Sequence, residues 1–236
     1  MNLLLLSEDQ CNGPIVTVSG HQLEHLLNVQ RAQIGDSVRI GRLDGNMGQG
    51  IIKTLSADLA TLEINLDTPS PAAVPLTLIL ALPRPKMLRR TLQTIAAMGV
   101  KTLYLVNSAR VEKSFWQTPK LRPEALQEQL ILGLEQARDT IMPKIYLRKL
   151  FKPFVEDELG GVIAGNRALV AHPTTAVPCP INCQTAVTLA VGPEGGFIPY
   201  EIEKLCSCGF NSVHIGSRIL RVETAIPALI ARLYPL

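Results

Sequence analysis

Residues 76–81 read Leu-Thr-Leu-Ile-Leu-Ala, an apolar run too short for an ordinary helix and without the alternation of a half-exposed strand. Such a run is satisfied by a strand covered on both faces, the condition of a parallel sheet flanked by helices. Shorter apolar runs recur at 102–106, 168–171, 188–191 and 212–215, and helical patterns occupy 87–98, 122–137, 199–206 and 224–233. Gly99 and Gly209 stop the first and third of these helices, and Pro123 opens the second. Thr224 is placed to cap the last helix, with Pro227 in its first turn. The alternation predicts an α/β domain with a mostly parallel sheet.

Upstream the pattern changes. Residues 3–6, 15–18, 37–40, 51–55 and 60–66 read as short strands, with a hairpin signal at Asp44-Gly45-Asn46 and a short helix carrying Leu23, Leu26 and Leu27 on one face. A small antiparallel barrel or sandwich is expected. The stretch from Thr68 to Pro75 has three prolines in seven residues, a stiff connector that divides residues 1–70 from residues 71–236.

Composition excludes several classes. With 47% hydrophobic and 18% charged residues the chain has the makings of a core, not of a disordered tract or coiled coil, and 4% aromatics make that core aliphatic. No apolar run approaches the roughly 20 residues a bilayer requires. The opening residues lack the positive region of a signal peptide. A soluble, cytoplasmic protein with no membrane attachment is expected. Five cysteines without a CxxC pair argue for reduced thiols and against a metal site.

Charge is uneven. Between positions 84 and 122 nine Lys and Arg face Glu112 alone, a surplus of eight in a chain whose net charge is +3. Everything outside that stretch therefore sums to −5. A basic segment in an otherwise acidic chain is the footprint of a polyanion, because neutralised phosphates release counterions. Arg84, Lys86, Arg89 and Arg110 are the expected polyanion contacts within it.

The chemistry-bearing motifs lie in the last fifty residues. The strand at 188–191 runs into Gly192-Pro193-Glu194-Gly195-Gly196-Phe197, and the strand at 212–215 into Gly216-Ser217-Arg218-Ile219-Leu220-Arg221-Val222-Glu223-Thr224-Ala225. Neither is a GxGxxG or Walker loop. Glycines directly after buried strands let backbone approach a ligand, and loops at the carboxyl ends of parallel strands are where α/β sheets bind one.

Together these two loops resemble those of the SPOUT class of S-adenosylmethionine-dependent RNA methyltransferases. The strings GPEGGF and IGSRILRVETA, so spaced, are most similar to the bacterial family that methylates N3 of a uracil in 16S ribosomal RNA, the RsmE family. The resemblance spans the chain: the N-terminal segment, with His25 and with Arg31 ahead of Gly35-Asp36, is similar to the family's PUA-like barrel, and Glu135-Gln136 with Pro143 to its middle helix. Three places depart. Thr94 and Ala97 replace residues usual in the family, and Asp139 stands where arginine is expected, with Arg138 displaced by one.

The resemblance implies a C-terminal domain threaded as a trefoil knot, an arrangement that periodicity never reveals. It also implies a homodimer with its site near the interface, and 16S rRNA of the small ribosomal subunit as partner, the family's target being uracil 1498. S-adenosylmethionine would lie among Ala171, His172 and Pro173; Val191, Gly192, Pro193, Glu194, Gly195 and Gly196; and Ile215, Gly216, Ile219, Leu220, Arg221, Thr224 and Ala225. Arg84, Lys86, Arg89 and Arg110 then contact RNA, joined by Arg31 and Arg138. Uracil N3 must lose its proton before its lone pair can take a methyl group, so the site needs a base or a cation beside the developing anion. Arg221 and Glu223 are the candidates, an interface ion pair being the competing reading. His172 suits either a loop cap or a base. Two other functions stay open: a same-fold methyltransferase acting elsewhere on RNA, such as a ribose 2′-OH, and a non-catalytic RNA-binding protein.

Overall fold

The computed structural model describes residues 2–235. The chain divides into two compact units, one of Met1–Ala72 with Ile131–Met142, the other of Ala73–Leu130 with Pro143–Leu236. A linear boundary at 70/71 thus misses the recruitment of residues 131–142 to the first unit.

The first unit holds β1 (Leu4–Leu6), β2 (Ile15–Val18), β3 (Ser37–Arg42), β4 (Met47–Leu55) and β5 (Ala60–Thr68) in the order β1-β3-β4-β5-β2. All neighbours are antiparallel except β1 and β3. Helix α1 (Gly20–Glu24) continues as a π-helical turn over His25–Gln30, closed by Arg31 in the left-handed region at φ 51°. Its Leu23 and Leu26 pack with Val16, Val18, Ile40, Ile52 and Leu62 in an aliphatic core.

Residues 131–142 belong with that sheet for a polar reason. Glu135 accepts Leu5 N–H on its carboxylate at 3.4 Å and Asn2 N–H on its carbonyl at 3.2 Å. Buried Asp139 takes the Ser70 hydroxyl at 2.8 Å and Ile141 N–H at 2.9 Å through one oxygen. An arginine at position 139 would place an uncompensated charge in that socket. The neighbouring Arg138, at φ 58°, stays exposed.

The second unit contains β6 (Val74–Ala81), β7 (Val100–Val106), β8 (Lys144–Arg148), β9 (Arg167–Ala171), β10 (Val187–Val191) and β11 (Asn211–Val213), ordered β11-β9-β10-β6-β7-β8 and parallel throughout. Six strands, not five, form it. Strand β8 escapes the sequence reading because Lys-Ile-Tyr-Leu-Arg holds only three apolar residues between charged ends and, at the sheet edge, is nowhere fully buried.

Helices α2 (Pro85–Ala97), α3 (Pro123–Ala137), α6 (Pro199–Ser207) and α7 (Val222–Leu233) match expected elements, while the short α4 (Phe151–Pro153) and α5 (Leu159–Ile163) were not anticipated. Helix α2 packs against α7. Its C-terminus is reversed by Gly99 at φ 77°, a conformation only glycine adopts freely. The last helix begins two residues before the expected start. Arg221, extended at ψ 154°, is the N-cap residue, and its carbonyl accepts Thr224 N–H at 3.0 Å and Ala225 N–H at 2.8 Å. Thr224 therefore lies inside the first turn and caps nothing, and Pro227 falls beyond that turn, inside the helix. Among the described residues no helix is long and apolar enough to cross a membrane, and none of the cysteines is in a disulfide.

Candidate functional site

Strands β9, β10 and β11 end beside one another, and the loops that leave them enclose a cavity of about 350 Å³. That size suits a small molecule or cofactor, and its place beyond the carboxyl ends of parallel strands is where such sheets bind ligands. The strand order makes this arrangement: β10, late in the chain, lies between β9 and the early strand β6.

The first loop is Ala171-His172-Pro173. His172 N–H donates to the Val213 carbonyl at 2.9 Å, and its Nε2 lies 3.0 Å from the Thr174 hydroxyl, so the residue ties two strand ends together. The second loop, Gly192–Gly196, is a tight turn in which Gly196 N–H donates to the Pro193 carbonyl at 2.7 Å. A Cβ on Gly192 would come within 2.8 Å of the Phe197 amide nitrogen, a backbone atom with no freedom to retreat. The third loop runs from His214 to Arg221. Its Gly216 sits at φ 140° and donates its N–H to His214 Nδ1 at 3.1 Å.

The cavity is lined by all the cofactor residues expected from the sequence except two. Ala171, His172, Pro173, Val191, Gly192, Pro193, Glu194, Gly195, Gly196, Ile215, Gly216, Ile219, Leu220 and Ala225 are there; Arg221 and Thr224 are not. Arg221 stands exposed at the α7 N-cap, and Glu223 is half-buried in the first turn after it. Arg218 and Val222, both within the expected loop 215–225, also line it, and Val213, His214 and Leu229 join from outside the expected loops. His214 was hidden inside an expected strand to residue 215, whereas β11 stops at Val213. Leu229 reads as helix core in sequence, and only the approach of α7 brings it to the cavity. Ile219 is 87% exposed, an apolar side chain with little covering it in the free chain.

Outside the cavity, the basic stretch meets the second loop. Arg84 N–H donates to the Glu194 carboxylate at 3.2 Å, and the Arg110 guanidinium donates to the Gly195 carbonyl. Buried Glu201 accepts Ala109 N–H at 2.7 Å with one oxygen and Ile198 N–H at 3.0 Å with the other. Lys86 and Arg89 are exposed on α2. The remaining expected RNA contacts, Arg31 and Arg138, lie in the first unit, where Arg138 borders a groove of about 810 Å³ with Arg39, Glu63 and Asp67. Among the described residues no three His, Cys, Asp or Glu side chains cluster as a metal site would need.

Residues 70–234 match the family described as RNA methyltransferase domain. The chain is 26% identical to the ribosomal RNA small subunit methyltransferase E of Treponema pallidum, over 98% of this chain and 90% of that one. It is 25% identical to the protein of the same name from Synechocystis, over 98% and 76%. The crystal structure of the Neisseria gonorrhoeae methyltransferase E bound to S-adenosyl methionine superimposes with a TM-score of 0.78 at 26% identity, covering 98% of this chain and 95% of that one.

Proposed function

The chain belongs to the RNA methyltransferase domain family, and on that premise we propose that it transfers a methyl group from S-adenosylmethionine to N3 of a uracil in the 16S rRNA of the small ribosomal subunit. The observation that carries the reading is the cavity: three loops distant in sequence close around one space, in a chain similar over nearly its whole length to a methyltransferase E crystallised with that cofactor. The lining fits the group. Ile215, Ile219, Leu220 and Leu229 offer apolar surface to a base and a thioether chain, while glycine backbone and Glu194 offer polar atoms at the rim. The cofactor supplies a methyl group already activated on a sulfonium, so no metal is called for.

The rest falls to the chain. Uracil N3 gives up its proton before its lone pair takes the methyl group, and the negative charge spreads onto the O2 and O4 carbonyl oxygens. Arg221 meets that charge with a guanidinium, and because it is the N-cap of α7, the free N–H groups of the helix N-terminus lie at the same place and add to the positive field. Glu223, two residues on, handles the proton. Thr224 serves the cofactor through the turn it helps to form, not through its side chain. Arg31, Arg84, Lys86, Arg89, Arg110 and Arg138 hold RNA phosphates.

In this reading residues 1–70, joined by residues 131–142, form a PUA-like RNA-binding barrel, and the rest of residues 71–236 a SPOUT domain, knotted as a trefoil. The enzyme works in the cytoplasm as a homodimer whose partner covers Ile219. The test is to incubate the protein and S-adenosylmethionine with small ribosomal subunits from cells lacking the gene, and to identify methylated nucleosides by mass spectrometry. N3-methyluridine is expected. 2′-O-methyluridine would move the target to the ribose, and no product despite cofactor binding would reduce the protein to an RNA-binding module.

A further inference from the structure

The basic stretch does more than border the cofactor loop; it holds it. Three contacts reach from residues 84–110 to residues 194–201. Two have a backbone N–H on the basic side, from Arg84 to Glu194 and from Ala109 to Glu201. The third is a side chain: Arg110 Nη1 donates to the Gly195 carbonyl. The arginine stem also lies along the glycine, since a Cβ on Gly195 would meet Arg110 Cδ at 3.0 Å. The base of this arm is fixed, because Glu201, which anchors the Ala109 amide, is 2% exposed and also holds Ile198. Its tip is exposed.

We propose that Arg110 is a positioning residue of the cofactor loop, and that through it RNA bound on the basic stretch tightens cofactor binding. The proposal rests on the methyltransferase reading above. The Gly195–Gly196 peptide joins two residues with wide conformational freedom, the second at φ 74°, so its orientation is weakly determined by the chain itself. A charged donor on the carbonyl selects one orientation and with it the direction in which the loop's N–H groups point into the cavity. A guanidinium has five N–H donors and the carbonyl uses one of its nitrogens, so a phosphate can be held by the same group at the same time. A phosphate that immobilises the guanidinium immobilises the loop. Linkage then requires the reciprocal effect: cofactor in the cavity, by ordering the loop, steadies Arg110 for RNA.

The experiment measures cofactor affinity by calorimetry on the full-length chain. Arg110→Ala should weaken S-adenosylmethionine binding about tenfold with no RNA present, the scale of one charge-assisted hydrogen bond. Lys113→Ala, which removes a charge from the same stretch, should leave that affinity unchanged. Arg110→Lys separates the two roles: it keeps a charge, so the salt dependence of RNA binding persists, yet one ammonium does not span the Gly195 carbonyl and a phosphate as the two ends of a guanidinium do, and the tightening of cofactor binding by RNA is lost. The coupling is read with S-adenosylhomocysteine, which cannot react. Saturating small-subunit rRNA transcript should tighten its binding at least about fivefold in the wild type and not at all in Arg110→Ala. Equal cofactor affinity in Arg110→Ala and wild type, at equal melting temperature, overturns the positioning role. Tightening by RNA that survives in the variant, or is absent from the wild type, overturns the coupling. A wild-type chain that binds no S-adenosylmethionine would overturn the methyltransferase reading itself, and the inference with it.

Discussion

Strand β10 is buried at all five of its positions, whereas β2 alternates exposed and buried along its four. The two sheets differ accordingly. In the second unit both faces are covered, so a ligand can reach the sheet only at its ends, and the chemistry collects in the loops beyond β9, β10 and β11. In the first unit one face stays open and polar. A groove of about 810 Å³ there is bordered by charges of both signs, Arg39 and Arg138 with Glu63 and Asp67. Burial on both faces confines a ligand of the second unit to the loop ends, whereas the open face of the first leaves broad polar surface.

The sharpest way to break this contrast is at Gly192. A side chain there meets the Phe197 amide nitrogen. Gly192→Val should therefore abolish S-adenosylmethionine binding by calorimetry, with the five-stranded sheet still melting as in the wild type. Retained affinity would mean that the second loop does not approach the cofactor. Next in size is Arg221→Ala. A donor that acts mainly in the transition state should cost on the order of 10²–10³ in single-turnover rate at saturating cofactor and RNA, with both affinities little changed. Sedimentation of the same variant tells the two roles apart: a monomer assigns Arg221 to the interface instead.

A third test lies in the first unit. Burial pushes the Glu135 carboxyl up to about 7, against the opposing pull of its Leu5 N–H contact. In the unfolded chain the group titrates near 4.5. Between those values the folded state keeps a proton that the unfolded state has released, so stability falls as pH rises through that window and the deficit is complete above pH 7. Glu135→Gln keeps an oxygen for Leu5 N–H and should remove this slope, stabilising the protein above pH 7 by up to roughly 3 kcal/mol. Urea unfolding from pH 5 to 8 checks it; parallel curves for variant and wild type would refute it. Smallest is the change at the basic surface. Replacing Lys86 and Arg89 by Ala should flatten the salt dependence of RNA binding by up to about one unit per lost phosphate contact, with cofactor affinity unchanged. An unaltered slope would make that surface a solvated face.

Much of this was legible from residues alone. The period-two segments before Thr68 and the apolar runs after Pro75 announce two kinds of sheet, and the strings 192–196 and 215–225 announce where the ligand goes. The misses have local causes. Lys144–Arg148 is an edge strand whose apolar run is only three residues long; Arg221, not Thr224, starts the last helix because a backbone carbonyl there captures two amides without a capping side chain. His214 falls within the strand pattern of 212–215, and only the end of β11 at Val213 frees it for the loop.

What the sequence by itself determined is whatever a few neighbouring residues can encode: periodicity, turn chemistry, glycines where backbone must come close, a surplus of charge over 39 positions. Only the tertiary structure decided that β10 lies between β6 and β9, so that three loops share one cavity, and that residues 131–142 belong to the first unit. It alone placed Arg110 on Gly195, 85 residues away. The physical reason is that pairing across such distances is decided by the sum of many weak contacts, weighed against the entropy of closing the loops between them. No short stretch of sequence carries that sum.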